Sequence, residues 1–138
     1  MLYIGPETKQ RITENATGKY PSTAAGFIFG TEDSQGNRTI TDVMMIEGTN
    51  ALMDQVSEKD RDKANDYASL HELLLLGFFQ TVTEGPSTAD SLQLSDANPN
   101  FSYVLLSIQS GSPESFRSFR ATSSNMFAEE LISDKPLA

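Results

Sequence analysis

The sequence predicts an α/β protein of the α+β type, with a mixed, mostly antiparallel β-sheet flanked by two main helices. A chain of 138 residues has the usual length of one domain and can bury about 68% of its unfolded surface. Its apolar segments are short, turn residues separate them, and only two stretches have helical character. We therefore expect a single domain over residues 1–132 and a C-terminal tail over residues 133–138.

The N-terminal segment is predicted to form a short strand and then a helix. Residues 2–4 are apolar enough for an opening strand. Pro6 suits the first turn of a helix, where its missing N–H would have no partner in any case. Ile12 and Ala16 are four residues apart and give this helix an apolar face, and Gly18 predicts its end.

A hairpin and a second helix are predicted next. Residues 24–30 are compact and apolar, residues 33–37 form a strong turn signal, and residues 38–46 provide the partner strand. A helix over residues 57–70 is expected because Ser57 is a favoured N-cap residue before a helix-prone stretch.

The second half of the chain is predicted to consist mainly of strands. Residues 73–79 are the longest apolar run, which suits a buried strand. Three further strands are expected at residues 101–109, 116–121 and 126–132. The resulting order, β-α-β-β-α-β-β-β-β, indicates a mixed sheet rather than a doubly wound parallel fold. Arg117 and Arg120 are three apart on one predicted strand, so we expect them on opposite faces of the sheet.

Composition excludes several classes of partner and site. Acidic residues outnumber basic ones by 19 to 10, and the net charge of −9 argues against nucleic acid or an anionic membrane as a partner. Adaptation to high salt is an alternative reason for this acidity. The absence of cysteine excludes disulfides, thiolate catalysis and cysteine-type zinc sites. Neither a signal-peptide pattern nor an apolar run of transmembrane length is present, and we expect a cytoplasmic protein.

A loop after the apolar run contains a serine and a carboxylate, Ser87 and Asp90, but no histidine, cysteine or lysine. The only histidine of the chain is His71, which precedes the strand. At about 3.3 Å per residue, the strand places His71 roughly 25–30 Å from the far end where the loop begins. Because a catalytic triad requires hydrogen-bond contact, we expect His71 to be a solvated residue near a helix C-terminus.

Five segments, in order, resemble one known family. The sequences YPSTAAGFIFG, ITDV, GFFQTV, PSTAD and FSYVLLSI are similar to the corresponding motifs of JAB/MPN (Mov34/MPN/PAD-1, JAMM) domains. The short bacterial single-domain members have the closest layout. The resemblance implies a JAB/MPN-like fold over residues 1–132. In active members, two histidines and an aspartate hold a catalytic zinc, a glutamate transfers the proton, and a serine stabilises the oxyanion.

This chain departs from the family pattern at most of those positions, so it has a degenerate metal site. Gln80 and Val82 stand where the family has His-x-His, and Thr23 stands where it has the glutamate. Ser87 and Asp90 match, but the loop that carries Asp90 is shorter than in the family. A catalytic zinc needs about three protein ligands, and an amide, an isopropyl group and one carboxylate do not supply them. We therefore expect no zinc, no other cofactor and no catalytic residue.

The function predicted from this resemblance is protein binding by a catalytically inactive module. The expected partner is a protein, in particular the extended tail of a ubiquitin-like or sulfur-carrier protein. The predicted binding residues surround the former metal site: Thr81, Val82, Glu84, Ser87 and Asp90.

Three alternatives stay open at this point. The chain is a zinc-dependent isopeptidase with a rearranged site that uses Glu84, Asp90 and a metal, or it is a structural homodimer. In a third interpretation, Ser87 and Asp90 only complete a turn in which Asp90 caps a short helix over residues 91–94. Separately, the methionines at 44, 45 and 53 are candidates for lining an adaptable apolar groove.

Overall fold

The protein is described from a computed structural model, which covers residues 1–20, 22–46, 56–83, 100–109, 112–123 and 126–133. Within these ranges, two helices accompany one mixed sheet. The helices are α1 (Pro6–Lys19) and α2 (Glu58–Leu70). The strands are β1 (Leu2–Ile4), β2 (Ala25–Glu32), β3 (Arg38–Met45), β4 (Leu74–Thr83), β5 (Ser102–Gln109), β6 (Ser112–Ser123), β7 (Met126–Glu130) and β8 (Ile132–Ser133). Several predicted features lie outside the described residues: the helix over 91–94, Met53, Glu84, Ser87 and Asp90.

The α+β class and the predicted order of elements are confirmed, with one correction at the C-terminus. The single strand expected over residues 126–132 is two strands, β7 and β8, separated by Leu131. The division has a topological cause, because β7 pairs with β6 whereas β8 pairs with β1 at the other edge of the sheet. The sequence pattern of residues 126–132 does not indicate which distant strand each half pairs with.

Helix α1 begins and packs as its sequence predicts. Pro6 is its first residue, and Ile12 and Ala16 are buried. The helix ends at Lys19, one residue later than Gly18 predicted. The following residue, Tyr20, has the extended backbone that a residue before proline prefers, so the end is set by Pro21 in the sequence.

Helix α2 has a side-chain cap and a small apolar stripe. The hydroxyl oxygen of Ser57 accepts a hydrogen bond from the amide of Asp60 at 3.1 Å, which confirms Ser57 as the N-cap. The buried residues of α2 are Ala64 and Ala68. Because these side chains are small, the helix can approach the sheet closely.

The sheet has the strand order β7-β6-β5-β4-β2-β3-β1-β8. Its centre is the parallel pair β4–β5, and β2 lies antiparallel to β4 on the other side. Since β8 follows β7 after one residue and pairs with β1, the chain connects the two edges and the sheet is nearly closed. The amide of Leu2 donates to the carbonyl oxygen of Leu131 at 2.9 Å at this junction.

Apolar side chains cover both faces of the sheet, and each face packs against one helix. The α1 face contains Ile12 and Ala16 of the helix together with the apolar strand residues Leu2, Ile4, Ala24, Ile28, Ile40, Leu76, Phe79, Val104, Leu106 and Ile108. The α2 face contains Ala64 and Ala68 together with Ala25, Phe27, Phe29, Ile46, Phe78, Tyr103, Leu105, Phe119 and Ala121. No helix in the described ranges is both long enough and apolar enough to cross a lipid bilayer.

A cluster of six polar side chains lies at one end of the α1 face, and we call it the interior cluster. Its members are Glu32, Arg38, Ser102, Ser118, Arg120 and Glu130. Nη1 of Arg38 donates to the hydroxyl of Ser102 at 3.3 Å, although β2 and β4 separate their strands. Ser102 and Ser118 each donate to Oε1 of Glu130 at 2.9 Å. These bonds between distant strands require that the sheet curls around its α1 face.

The two arginines of β6 face opposite sides, as predicted. Arg117 pairs with Glu129 at 2.6 Å on the exposed side. Arg120 pairs with Glu130 at 3.3 Å in the interior cluster. They therefore act as separate ion pairs, and the same strand β7 provides both carboxylates.

Candidate functional site

The positions that correspond to the predicted metal site meet where β4 ends and β2 begins. The amide of Thr81 donates to the carbonyl oxygen of Ala24 at 2.9 Å, and Ala25 is in register with Gln80. Thr23 directly precedes Ala24 and therefore lies next to this end of β4. The structure thus brings the segment with Thr23 beside the segment with Gln80 and Val82, although the two are more than fifty residues apart in the sequence.

Gln80 and Val82 share the α2 face of the sheet, and Thr23 lies in the segment next to them. Phe78 belongs to the α2 cluster, so alternation along β4 puts Gln80 and Val82 on the same face. Thr23 is two residues before Ala25, which belongs to that cluster as well. All three are partly exposed, which leaves them accessible to a ligand.

Ser107 is a fourth residue of this site, a polar one, that sequence reasoning missed. It is in register with Val82 on the neighbouring parallel strand β5 and is 5% exposed. Leu105, two residues earlier, belongs to the α2 cluster, so Ser107 faces the same side. A serine inside the apolar run 103–108 was the available signal, but only the pairing of β5 with β4 shows which residues it accompanies.

Thr81 was predicted as a binding residue, but its side chain lies on the opposite face of the sheet from that of Val82. It is fully buried at 0% exposure and lies on the α1 face with Phe79. Its hydroxyl oxygen accepts a hydrogen bond from the amide of Ala24 at 2.8 Å. Thr81 therefore holds β2 against β4 and positions Gln80 and Val82, and it does not contact a ligand on the other face.

The described residues at the site do not fit a catalytic zinc. The side chains here are the amide of Gln80, the hydroxyl groups of Thr23 and Ser107, and the isopropyl group of Val82. None of them is an imidazole, thiolate or carboxylate, which are the ligands that zinc prefers. No group of three or more histidine, aspartate or glutamate side chains that could hold a metal occurs in the described part of the chain. Glu84, Ser87 and Asp90 lie outside the described residues.

His71 occupies the helix C-terminus that its sequence position predicts. It caps α2, its side chain is exposed, and its ring lies 4.2 Å from the ring of Tyr67. Tyr67 in turn donates its hydroxyl hydrogen to the carboxylate of Asp42 on β3. This hydrogen bond is the main reason that the pKa of Asp42 is lowered, with smaller contributions from Thr41 and from the charges of His71 and Arg11. The same bond raises the pKa of Tyr67.

A cavity of about 250 Å³ opens between the N-terminal half of α2 and strands β2 and β3. It is lined by Phe27, Met44, Met45, Ile46, Asp60 and Lys63. The amide of Ile46 donates to Ala25, which is in register with Gln80, so cavity and site are two strands apart. Met44 and Met45, two of the methionines expected at an apolar groove, both line this cavity, together with the charged residues Asp60 and Lys63.

Comparison with known proteins establishes the fold. The chain shares it with two bacterial proteins of known solution structure. A protein from Salinibacter ruber (strain DSM 13855) superposes with a TM-score of 0.68 at 20% sequence identity, covering 98% of this chain and 95% of that chain. A protein from Desulfitobacterium hafniense gives a TM-score of 0.71 at 19% identity, covering 96% and 92%. No protein-family model and no curated protein sequence matches this chain.

Proposed function

We propose that this protein is a non-catalytic module of the JAB/MPN type that binds the extended tail of a partner protein. One observation carries the proposal. Gln80 and Val82 lie on one face at the end of β4, the segment with Thr23 lies beside them, and all three are partly exposed, which is how the resemblance to that family would align them. None of the three has the side chain that the family uses for zinc or for proton transfer. The site therefore retains an accessible polar surface without the groups that hydrolysis needs.

The chemistry of the remaining groups favours binding to a peptide. Hydroxyl and amide side chains both donate and accept hydrogen bonds, so Thr23 and Gln80 suit the N–H and C=O groups of an extended backbone. The resemblance suggests a ubiquitin-like or sulfur-carrier protein as the partner.

Restoring the lost ligands tests the assignment of these positions. The double substitution Gln80→His with Val82→His rebuilds the family's histidine pair, and zinc affinity is measured by calorimetry. The matched control is Met126→His with Ala128→His, which places the same spacing on an exposed stretch of β7. We expect the site pair to bind zinc at least about tenfold more tightly than the control pair, because the resemblance implies that Asp90 supplies a third ligand near the site pair. Equal affinities would contradict the assignment.

Two measurements on the unaltered protein test the absence of catalysis. Elemental analysis after purification without chelators is expected to find no stoichiometric metal. A tightly held zinc, or peptide-bond cleavage that a chelator stops, would replace the proposal with the rearranged hydrolase.

Tail binding is tested by NMR titration of the ¹⁵N-labelled protein with a bacterial ubiquitin-like sulfur carrier. The expected result is saturable shifts of the amides near Gln80, Thr81 and Val82. An unchanged spectrum at millimolar partner would refute tail binding at this site. Sedimentation at low and high salt then separates a monomeric binder from a structural homodimer.

A further inference from the structure

Among the described residues, half of the outer edge of β3 has no strand beside it. β2 pairs with β3 from Arg38 to Met45, whereas β1 pairs only with Arg38, Thr39 and Ile40. The chain then leaves β1 and enters α1, so no described strand pairs with the outer edge from Thr41 to Met45. Folded proteins usually cover or charge such an edge because its backbone groups attract another strand.

The backbone groups on this edge belong to alternate residues. The amide of Ile46 donates to Ala25 of β2 at 2.9 Å. In an antiparallel pair, the direction of the backbone groups alternates, so those of Met45 and Val43 point away from β2. Both residues are partly exposed, and Thr41 is exposed, whereas Arg38 and Ile40 under β1 are buried. The open edge is therefore accessible.

The surroundings of the edge indicate the charge of its occupant. Nζ of Lys19 donates to the carbonyl oxygen of Ile46 at 3.3 Å, and Lys63 lines the cavity beside Met45. Asp60 also lines the cavity, and the carboxylate of Asp42 is engaged by the Tyr67 hydroxyl. Two lysines thus lie at the Ile46 end of the edge, in a chain that otherwise has an excess of acidic residues. Such an end attracts carboxylates.

We propose that the outer edge of β3, from Thr41 to Met45, accepts an extended acidic peptide of a partner protein as an added strand. The backbone of the peptide pairs with Val43 and Met45. An apolar side chain enters the cavity, and carboxylates of the peptide lie near Lys19 and Lys63. This surface is separate from the polar site at Gln80 and Val82, and it does not depend on the family resemblance, so the two proposals fail independently.

The test uses a synthetic octapeptide of alternating valine and threonine that ends in two glutamates, added to the ¹⁵N-labelled full chain. We expect saturable shifts and slower hydrogen exchange at the amides of Val43 and Met45. N-methylation of the peptide on the edge that faces β3 removes its donors and is expected to weaken binding about tenfold. The same modification on the other peptide edge is the matched control and should leave affinity unchanged. Equal binding by both modified peptides, or shifts located elsewhere, would overturn strand addition.

A separate comparison tests the preference of the β3 edge for an acidic peptide. Replacing the two glutamates of the peptide by lysines, or introducing Lys19→Gln with Lys63→Gln, is expected to weaken binding about fivefold at low salt. Lys9→Gln is the control, because Lys9 lies over the Phe116 ring. A lysine-ended peptide that binds as well as the acidic one would overturn the acidic occupant. Protection of the Val43 and Met45 amides without any peptide, together with dimers in sedimentation, would assign the edge to a second copy of this chain and overturn the proposal.

Discussion

The hydroxyl oxygen of Thr81 accepts the amide proton of Ala24 at 2.8 Å, in the buried layer between β2 and β4. The amide of Thr81 donates back to the carbonyl oxygen of Ala24 at 2.9 Å. A side chain thus substitutes for a backbone acceptor at the point where β2 begins. This pair determines how closely the first residues of β2 approach the end of β4, and hence the distance between Thr23 and Val82.

Thr81→Val removes the hydroxyl and keeps nearly the same shape, so the amide of Ala24 loses its buried acceptor. We expect a loss of about 1–3 kcal/mol in the free energy of unfolding, measured in urea. Thr81→Ser keeps the hydroxyl and is the control. Hydrogen exchange shows whether the lost bond causes the change in stability. The Ala24 amide should exchange faster in the valine variant and stay protected in the serine variant. Unchanged protection in Thr81→Val would show that this bond is unimportant.

Glu130 and Glu129 offer a matched pair on one strand. The Glu130 side chain is 6% exposed and accepts bonds from Ser102, Ser118 and Arg120. Glu130→Gln removes the buried carboxylate charge that faces Arg120 and weakens the bonds that Ser102 and Ser118 donate to it, and we expect a loss of about 1–3 kcal/mol. Glu129→Gln breaks only the exposed pair with Arg117 and should change stability little. Thermal unfolding of both variants checks the difference, and equal midpoints would contradict the role given to the interior cluster.

The Tyr67–Asp42 hydrogen bond makes stability depend on acid pH. It lowers the pKa of Asp42 below its ordinary value of 3.8. A carboxyl group whose pKa is lower in the folded state stabilises the fold above its unfolded pKa. That contribution is lost as the pH falls through the folded pKa, below about 4. Tyr67→Phe should raise the pKa of Asp42 toward its ordinary value and so remove most of this pH-dependent contribution to stability.

Carboxyl ¹³C shifts recorded during a pH titration measure this change in the pKa of Asp42. Asp33 is the internal control. Its pKa is lowered mainly by a hydrogen bond from the backbone of Asn37, which the Tyr67 substitution leaves in place. An Asp42 titration curve that is identical in both proteins would refute the coupling.

Two glycines should respond to alanine in opposite directions. Gly77 has a φ of +152°, and a Cβ there would overlap the carbonyl oxygen of Ser102 on β5. We expect Gly77→Ala to cost about 3 kcal/mol or more, because β4 and β5 must separate to admit the methyl group. Gly18 lies in α1 with no atom near the position of a new Cβ. Gly18→Ala should therefore stabilise the protein by about 0.5–1 kcal/mol. Denaturant midpoints of the two variants test both signs, and a stable Gly77→Ala protein would contradict the close strand approach.

Local signals in the sequence predicted most of the elements but not their partners. Pro6 and Ser57 mark helix starts, and the turn over residues 33–37 joins the β2–β3 hairpin, because caps and turns act within a few residues. The extension of β4 to Thr83 and the division at Leu131 were missed. Both depend on pairing with strands that are far away in the sequence.

For the candidate site, the sequence identified Thr23, Gln80 and Val82 through motif positions alone. The structure added Ser107, the cavity and the open edge of β3, and it turned Thr81 to the opposite face. Alternation along β4 explains the last difference. Adjacent strand residues face opposite sides, so Thr81 cannot share a face with both of its neighbours.

The sequence by itself determined most of the secondary structure and the lack of zinc-binding side chains at Thr23, Gln80 and Val82, since both depend on which residues occur at short spacings. Only the tertiary structure decided that β8 closes the sheet against β1, that Arg38 reaches Ser102 across two strands, and that no described strand covers half of the outer edge of β3. The physical reason is that strand pairing is a contact between distant segments. Its partner and register are selected by the burial of the whole sheet rather than by any one segment.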